Sequence, residues 1–233
     1  PLRGFYSAHV EKLMDKLKEE GVHFHMSENV VAVKENGTNY DVVTQSGLTI
    51  QSDYVLDATG RMPNVEGIGL EEVGIEYSKF GVKVDEYLRT NVPNIYASGD
   101  VIEKMIPKLT PTATFESNYI AAHILKMNEM PIQYPAIPSV LYSLPRLSNI
   151  GVGIEEAKNN DEYKVIDIPF GKRMVFEYKN ETEAEMTIVL DSEKRLVGAA
   201  IYGDDAPDLI NLLTFIVNPV SYTHLTLPTT PYV

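Results

Sequence analysis

Residues 90–101, TNVPNIYASGDV, constrain the fold more than any other stretch of this chain. Positions 94–97 read as a short strand, and Ser98-Gly99-Asp100 as the turn at its carboxyl end. A helix is expected over about 111–126, with Thr110 as its N-cap and Pro111 in the first turn, where a missing N–H leaves no helical bond unmade. A strand that turns toward a helix is the repeating unit of an open α/β sheet, and ligands of such sheets bind beyond the carboxyl ends of the strands. Gly99 lets a ligand approach the backbone closely, and the Asp100 carboxylate can accept hydrogen bonds from sugar-type hydroxyls. Taken alone, Gly-Asp reads first as an ordinary turn.

The chain before this segment carries one helix and several strand-like runs. Ser7 is placed to N-cap a helix with Val10, Leu13, Met14 and Leu17 on one face, and Gly21 sits where a left-handed residue would end it. Strands are expected at 22–26, 30–33, 40–44 and 54–56, with turns at Asn36-Gly37 and Ser46-Gly47. Tyr54-Val55-Leu56 is continuously apolar, the pattern of a strand buried on both faces. After 94–97 and its helix, the proline-rich stretch 130–138 reads as a linker, with a boundary near 130–135. Beyond it, strands are expected near 140–144, 150–152, 163–168, 186–190 and 196–202. A last helix after Asp205 aligns Leu209, Leu212, Leu213, Ile216 and Val217. Antiparallel strands with few helices make this part α+β.

Composition removes several functions. Lys and Arg number 20 against 33 Asp and Glu, a net charge of −13 that opposes binding to a phosphate backbone and makes nucleic acid a poor partner. No apolar run approaches the ~20 residues of a membrane-spanning helix. There is no cysteine, so these residues contain no disulfide, thiolate metal site or Cys nucleophile. No cluster has metal-ligand spacing. Residues 219–233, PVSYTHLTLPTTPYV, contain no charged side chain and three prolines; they read as a non-native read-through tail, set aside together with His224.

ATGRMPN at 58–64 and Gly99-Asp100 together resemble the flavin- and pyridine-nucleotide-dependent disulfide oxidoreductases, the family of glutathione reductase, dihydrolipoamide dehydrogenase and mercuric reductase. LRGF near the start, LTPTATFESNYIA at 109–121, IPSVLYSLPRLSNIGVGIEEA at 137–157 and RLVGAAIYGDDAPDLINLLTF at 195–215 extend the likeness in the family's order over roughly 1–218. The fold it implies is α/β nucleotide-binding, three-layer, with partial NAD(P) and FAD domains, followed by an α+β dimerisation domain. Its boundaries would be 1–64 for the second half of the NAD(P) domain, 65–132 for the returning part of the FAD domain, and 133–218 for a truncated dimerisation domain.

By the same resemblance, Asp100 would hold the ribityl chain of FAD, with Gly99 giving room. Leu109, Thr110 and Pro111 would start the helix that faces the flavin's pyrimidine end, where free N–H groups and a positive dipole end stabilise negative charge. Gly60 would lie near the nicotinamide; Arg61 is either a domain-junction residue or an ordinary surface arginine. Arg3 matches the second of two arginines that grip a 2′-phosphate in NADP-using members, which favours NADP over NAD by a narrow margin. The family's two G-x-G-x-x-G loops, its redox Cys pair and its catalytic His-Glu pair have no counterpart here. No catalytic residue is therefore assigned to this chain. His9, His23, His25 and His123 read as solvated or hydrogen-bonded histidines. The resemblance implies a portion of a cytoplasmic homodimeric enzyme that passes electrons from NAD(P)H through FAD to a disulfide-type acceptor. On these residues alone it would be inactive and would bind FAD weakly or not at all. The alternatives are an NADH oxidase or peroxidase of the same architecture, another flavin reductase without the Cys pair, and a non-catalytic dimerisation or binding module.

Overall fold

In the computed structural model, residues 2–218 are described. The reading of 219–233 as a non-native tail, and His224 with it, lies outside the described residues. Among the described residues two compact units are distinguished, residues 2–14 with 63–218 and residues 15–62.

The larger unit is organised around the strand Leu196–Tyr202 (β10), whose last five residues are all buried. Side chains alternate across a strand, so β10 supplies two cores at once. Ala199 and Ile201 join Ile150, Phe170 and Ile210 on one face; Ala200 joins Ile154, Ala157 and Val189 on the other. β10 is the centre of a five-stranded, wholly antiparallel sheet. Its neighbours are β6 (Ser139–Leu141), β7 (Leu147–Gly151), β8 (Lys164–Ile168) and β9 (Glu185–Leu190), in the order β6-β7-β10-β9-β8. Helix α5 (Ala206–Val217) packs on β7 and β10, and the short α3 (Ile154–Lys158) packs on β8 to β10. A one-turn helix, α4 (Met174–Tyr178), lies between β8 and β9 in the chain. These strands fall close to their expected positions.

The start of helix α1 (Ser7–Glu19) belongs to this body. Tyr6 packs with Ile154 and Ala200, and His9 lies with its ring 6.0 Å from that of Tyr202. Ser7 does not cap its own helix; its N–H and hydroxyl both donate to Glu155. The C-terminal expectation for α1 holds in detail. Gly21 has φ +92°, Val22 N–H donates to Leu17 O at 2.9 Å, and Gly21 N–H donates to Lys18 O at 3.0 Å. This is the paired Schellman pattern.

Residues 63–132 fold mostly as loops about two small cores. One gathers Val65, Ile75 and Val82; the other Leu88, Ile102 and Tyr119. Their regular elements are a ribbon of β4 (Tyr77–Ser78) and β5 (Gly81–Val82) and helix α2 (Thr110–Ile124). The strand expected at 94–97 is instead one side of a tight ladder. Thr90 N–H donates to Ile95 O at 2.9 Å and Ala97 N–H to Leu88 O at 3.1 Å. The turn at 92–95 returns the chain too soon for a longer strand.

Residues 15–62 contain an antiparallel meander, β1 (Val30–Asn36), β2 (Asn39–Thr44) and β3 (Thr49–Ser52), in the order β1-β2-β3. The glycines of both expected turns have positive φ, Gly37 at +66° and Gly47 at +91°. Two expectations are corrected: 22–26 and 54–56 are not strands, and Tyr54 and Leu56 are 89% and 91% exposed. A strand buried on both faces needs ladder partners on either side. The strands of this unit pair only with each other, so the run stays open. The fold is thus mixed α/β followed by an antiparallel α+β sheet, and the described residues contain no three-layer parallel sheet.

Candidate functional site

Gly99 opens the site. It adopts φ +78°, a left-handed conformation that favours glycine. It starts a single 3₁₀ turn, Gly99–Val101, that leaves the Asp100 side chain exposed. The turn is tethered by β5: Val82 bridges Ile102 in parallel, and Glu103 N–H donates to Val82 O at 2.9 Å. The contact requires glycine at 81, because a Cβ there would stand 2.3 Å from the Val101 carbonyl oxygen.

Helix α2 starts one residue earlier than expected. Leu109, extended at φ −127° and ψ 155°, is the N-cap, and Thr110 is the first helical residue rather than the cap. No side chain caps this end. The first intrahelical bond runs from Ala113 N–H to Leu109 O at 3.0 Å, so the preceding N–H groups have no partner within the helix. Pro111, in the first turn, contributes none.

The structure brings Asp100 and Thr110 together. With Ala113, Thr114, Ser117 and Asn118 they line an open hollow of about 420 Å³. An exposed carboxylate and a helix N-terminus therefore border one space, the first suited to hydroxyl groups and the second to negative charge. The hollow is not lined by Gly60, Arg61 or Arg3. Gly60 and Arg61 are exposed in the 15–62 unit, just after an Asx turn in which Asp57 accepts from Thr59 N–H at 3.0 Å. Arg3 is exposed ahead of α1.

Behind the hollow lies a group that the sequence reading missed. Glu116 is fully buried, and its Oε2 accepts the Gly99 N–H at 2.5 Å. Its Oε1 meets Lys104 Nζ at 2.5 Å and the Tyr134 hydroxyl at 2.8 Å. Burial, reinforced by the Glu116 carboxylate, pushes the Tyr134 phenol up and keeps it a donor. A second lysine, Lys108, donates to Asp100 O at 2.9 Å and to Phe80 O at 3.2 Å. The available signal was the spacing of Thr112, Glu116 and Tyr119, which places three polar residues on the buried face of α2.

His23, His25 and His123 take the roles expected of them, and the buried His9 does not. His23 and His25 are exposed. His123 stacks on Tyr87, with ring centroids 5.1 Å apart, and has Arg89 Nη2 3.2 Å from its Nε2 and Asn128 O 3.0 Å from its Nδ1. His9 is buried with its Nε2 3.2 Å from Glu185 Oε1. Burial holds its pKa down at about 4, helped by Lys12 and opposed by Glu185 and Asp167.

Comparison with known proteins gives the family of the chain. The chain belongs to the pyridine nucleotide-disulphide oxidoreductase family: residues 1–117 match that family, and residues 137–222 match its dimerisation domain. Glutathione reductase of Burkholderia cepacia is 35% identical over 215 residues, which are 90% of this chain and 47% of that protein. Dihydrolipoyl dehydrogenase of Bacillus subtilis is 36% identical over 223 residues, 93% of this chain and 47% of its own. Among solved structures, LpdA from Mycobacterium tuberculosis shares the fold at a TM-score of 0.83 and 22% identity, over 91% of this chain and 46% of that one. The chain spans about half the length of the curated relatives it matches.

The family uses FAD and NAD(P)H, and the residues around the hollow fit one end of the flavin cofactor. Asp100 suits a polyol chain, and the α2 N-terminus suits a ring that gathers negative charge. No G-x-G-x-x-G occurs in the 233 residues, so nothing of that type is present to hold a pyrophosphate. No described helix is long and apolar enough to cross a membrane.

Proposed function

We propose that these residues form the flavin-ribityl end and the dimerisation sheet of a cytoplasmic flavoprotein that carries electrons from NAD(P)H through FAD to a disulfide-type acceptor. The observation that carries this reading is the single hollow bordered by the exposed Asp100 carboxylate and the uncapped N-terminus of α2. Bound FAD would supply hydride acceptance and onward electron transfer. Asp100 accepts hydrogen bonds from the ribityl hydroxyls, with Gly99 keeping the approach clear. The N–H groups following Leu109, at Thr110 and beyond Pro111, stabilise negative charge on the ring by about 0.3–1 kcal/mol. Gly60 and Arg61 serve the nicotinamide side, and Arg3 favours a 2′-phosphorylated cofactor. The domains are 1–64, 65–132 and 133–218, the first two being parts of three-layer nucleotide-binding domains and the third pairing with a second copy. With no cysteine in the chain, a redox dithiol would have to be supplied by residues other than these.

Two measurements test this. FAD titrated to millimolar concentration should shift the NMR amide resonances of Asp100 and Thr110, and Asp100→Ala should weaken that response about tenfold, as expected for lost hydrogen bonds to a charged group. No shift at either amide would sink the flavin reading. Sequencing the source locus on both sides addresses the acceptor. An upstream Cys pair with a downstream His-Pro-Thr and Glu supports a disulfide reductase. A frame lacking the pair points to an oxidase or peroxidase of the same architecture.

A further inference from the structure

Residues 103–109 connect the Gly99–Val101 turn to α2, and the sequence makes them a surface loop. One of its lysines nevertheless points inward. The Lys104 side chain is 7% exposed and pairs with Glu116, which has no exposure at all. Burying such a pair rarely stabilises a fold as much as apolar packing of the same volume would, so stability alone gives little reason for it. Its geometry supplies another reason. Both Glu116 oxygens are engaged, Oε1 by Lys104 and Tyr134 and Oε2 by the Gly99 N–H.

We propose that Glu116, held by Lys104 and Tyr134, is the positioning residue of the Gly99-Asp100 turn and sets the direction in which Asp100 faces a polyol-bearing cofactor. The inference rests on the flavin reading above and adds three residues to it. Glycine at positive φ is the freest residue of the turn, so an unrestrained Gly99 would let Asp100 swing. Glu116 fixes the peptide entering Gly99, and Lys108 fixes the carbonyl leaving Asp100 at 2.9 Å. The Asp100 carboxylate is thus presented by a backbone held on both sides. Lys104 neutralises the buried carboxylate, so Glu116 does not repel Asp100.

The test replaces the pair in two ways. K104M/E116Q removes both charges but keeps an oxygen acceptor for Gly99, whereas K104M/E116L removes the acceptor as well. The Gln variant should melt near the wild-type temperature, whereas the Leu variant, which leaves the Gly99 N–H and the Tyr134 hydroxyl without an acceptor, should melt lower. The Gln variant should keep slow hydrogen exchange at the Gly99 amide and a wild-type response of the Asp100 amide to FAD. The Leu variant should exchange that amide about tenfold faster and respond to FAD about tenfold more weakly, the loss expected for one charge-assisted bond. A merely structural role predicts that the folded Leu variant, whatever its melting temperature, keeps the Gly99 exchange and the Asp100 response of the Gln variant. That outcome overturns the proposal. If the Leu variant does not fold, Glu116→Asp, which keeps the charge but withdraws it by one methylene, is read by the same two measurements. A wild-type chain that shows no FAD response defeats the functional reading, while Gly99 exchange still decides whether Glu116 holds the turn.

Discussion

His9 shows how one buried side chain links the fold to pH. Its neighbours are Tyr6 and Lys12 from its own segment, and Glu185, Asp167 and Tyr202 from the sheet. Burial lowers its pKa from 6.5 to about 4, so the unfolded chain takes up a proton in that interval and the folded chain does not. Stability is therefore fully present above pH 6.5 and declines as pH falls toward 4. The decline is on the order of 2–3 kcal/mol from this group. Denaturant titrations at pH 7 and pH 4.5 should show the loss, and His9→Gln, which cannot titrate, should reduce it. Equal pH dependence in the two proteins would remove His9 as the cause. Residues of this kind are hard to foresee. Gly99 and Asp100 are legible because a strand-turn-helix motif is local, whereas Lys104 meets Glu116 twelve positions away, after the chain has folded back. The loop's other members, such as Met105, are indeed exposed.

At the scale of elements, the dimerisation sheet is the part best anticipated. Its strands alternate, lie between turn residues and pair with neighbours inside the same stretch, so local pattern and tertiary outcome agree. The meander of 30–52 is legible for the same reason. The runs at 22–26 and 54–56 carry strand-like composition without ladder partners, and composition alone does not make a strand. A closer approach within the sheet was invisible to pattern. Gly151 and Gly198 face each other across β7 and β10, and a Cβ on Gly151, already at φ +69°, would stand 2.1 Å from Val197 O. Gly151→Ala should cost about 2–5 kcal/mol from strain and overlap together, seen as a lower melting temperature. A melting temperature within a degree of wild type would show that the backbone yields there.

For the whole molecule, assembly has a concrete surface. α5 buries Ile210 against the sheet yet exposes Leu212, Phe215 and Ile216, and the β6–β7 connection exposes Tyr142 and Leu144. Residues 137–222 match a dimerisation domain, and the proposed pairing with a second copy would use this apolar surface. Sedimentation of the wild-type chain should give a dimer, and Phe215→Glu with Ile216→Glu a folded monomer. A wild-type monomer at micromolar concentration would count against pairing through this face.

The bond pair between Asn218 and Ala136 has a consequence for engineering. Asn218 Oδ1 accepts Ala136 N–H at 2.7 Å while its Nδ2 donates to Ala136 O at 2.9 Å, joining positions separated by 82 residues. The dimerisation sheet is thereby a segment whose entrance and exit lie side by side. Segments with adjacent ends can be moved into a loop of another protein without stretching the host, because the insertion site need open only slightly. Residues 136–218 are thus a graft with its own clasp, and the short segment with Tyr6 and His9, which packs on the sheet's second face beside α3, is the piece that should travel with it.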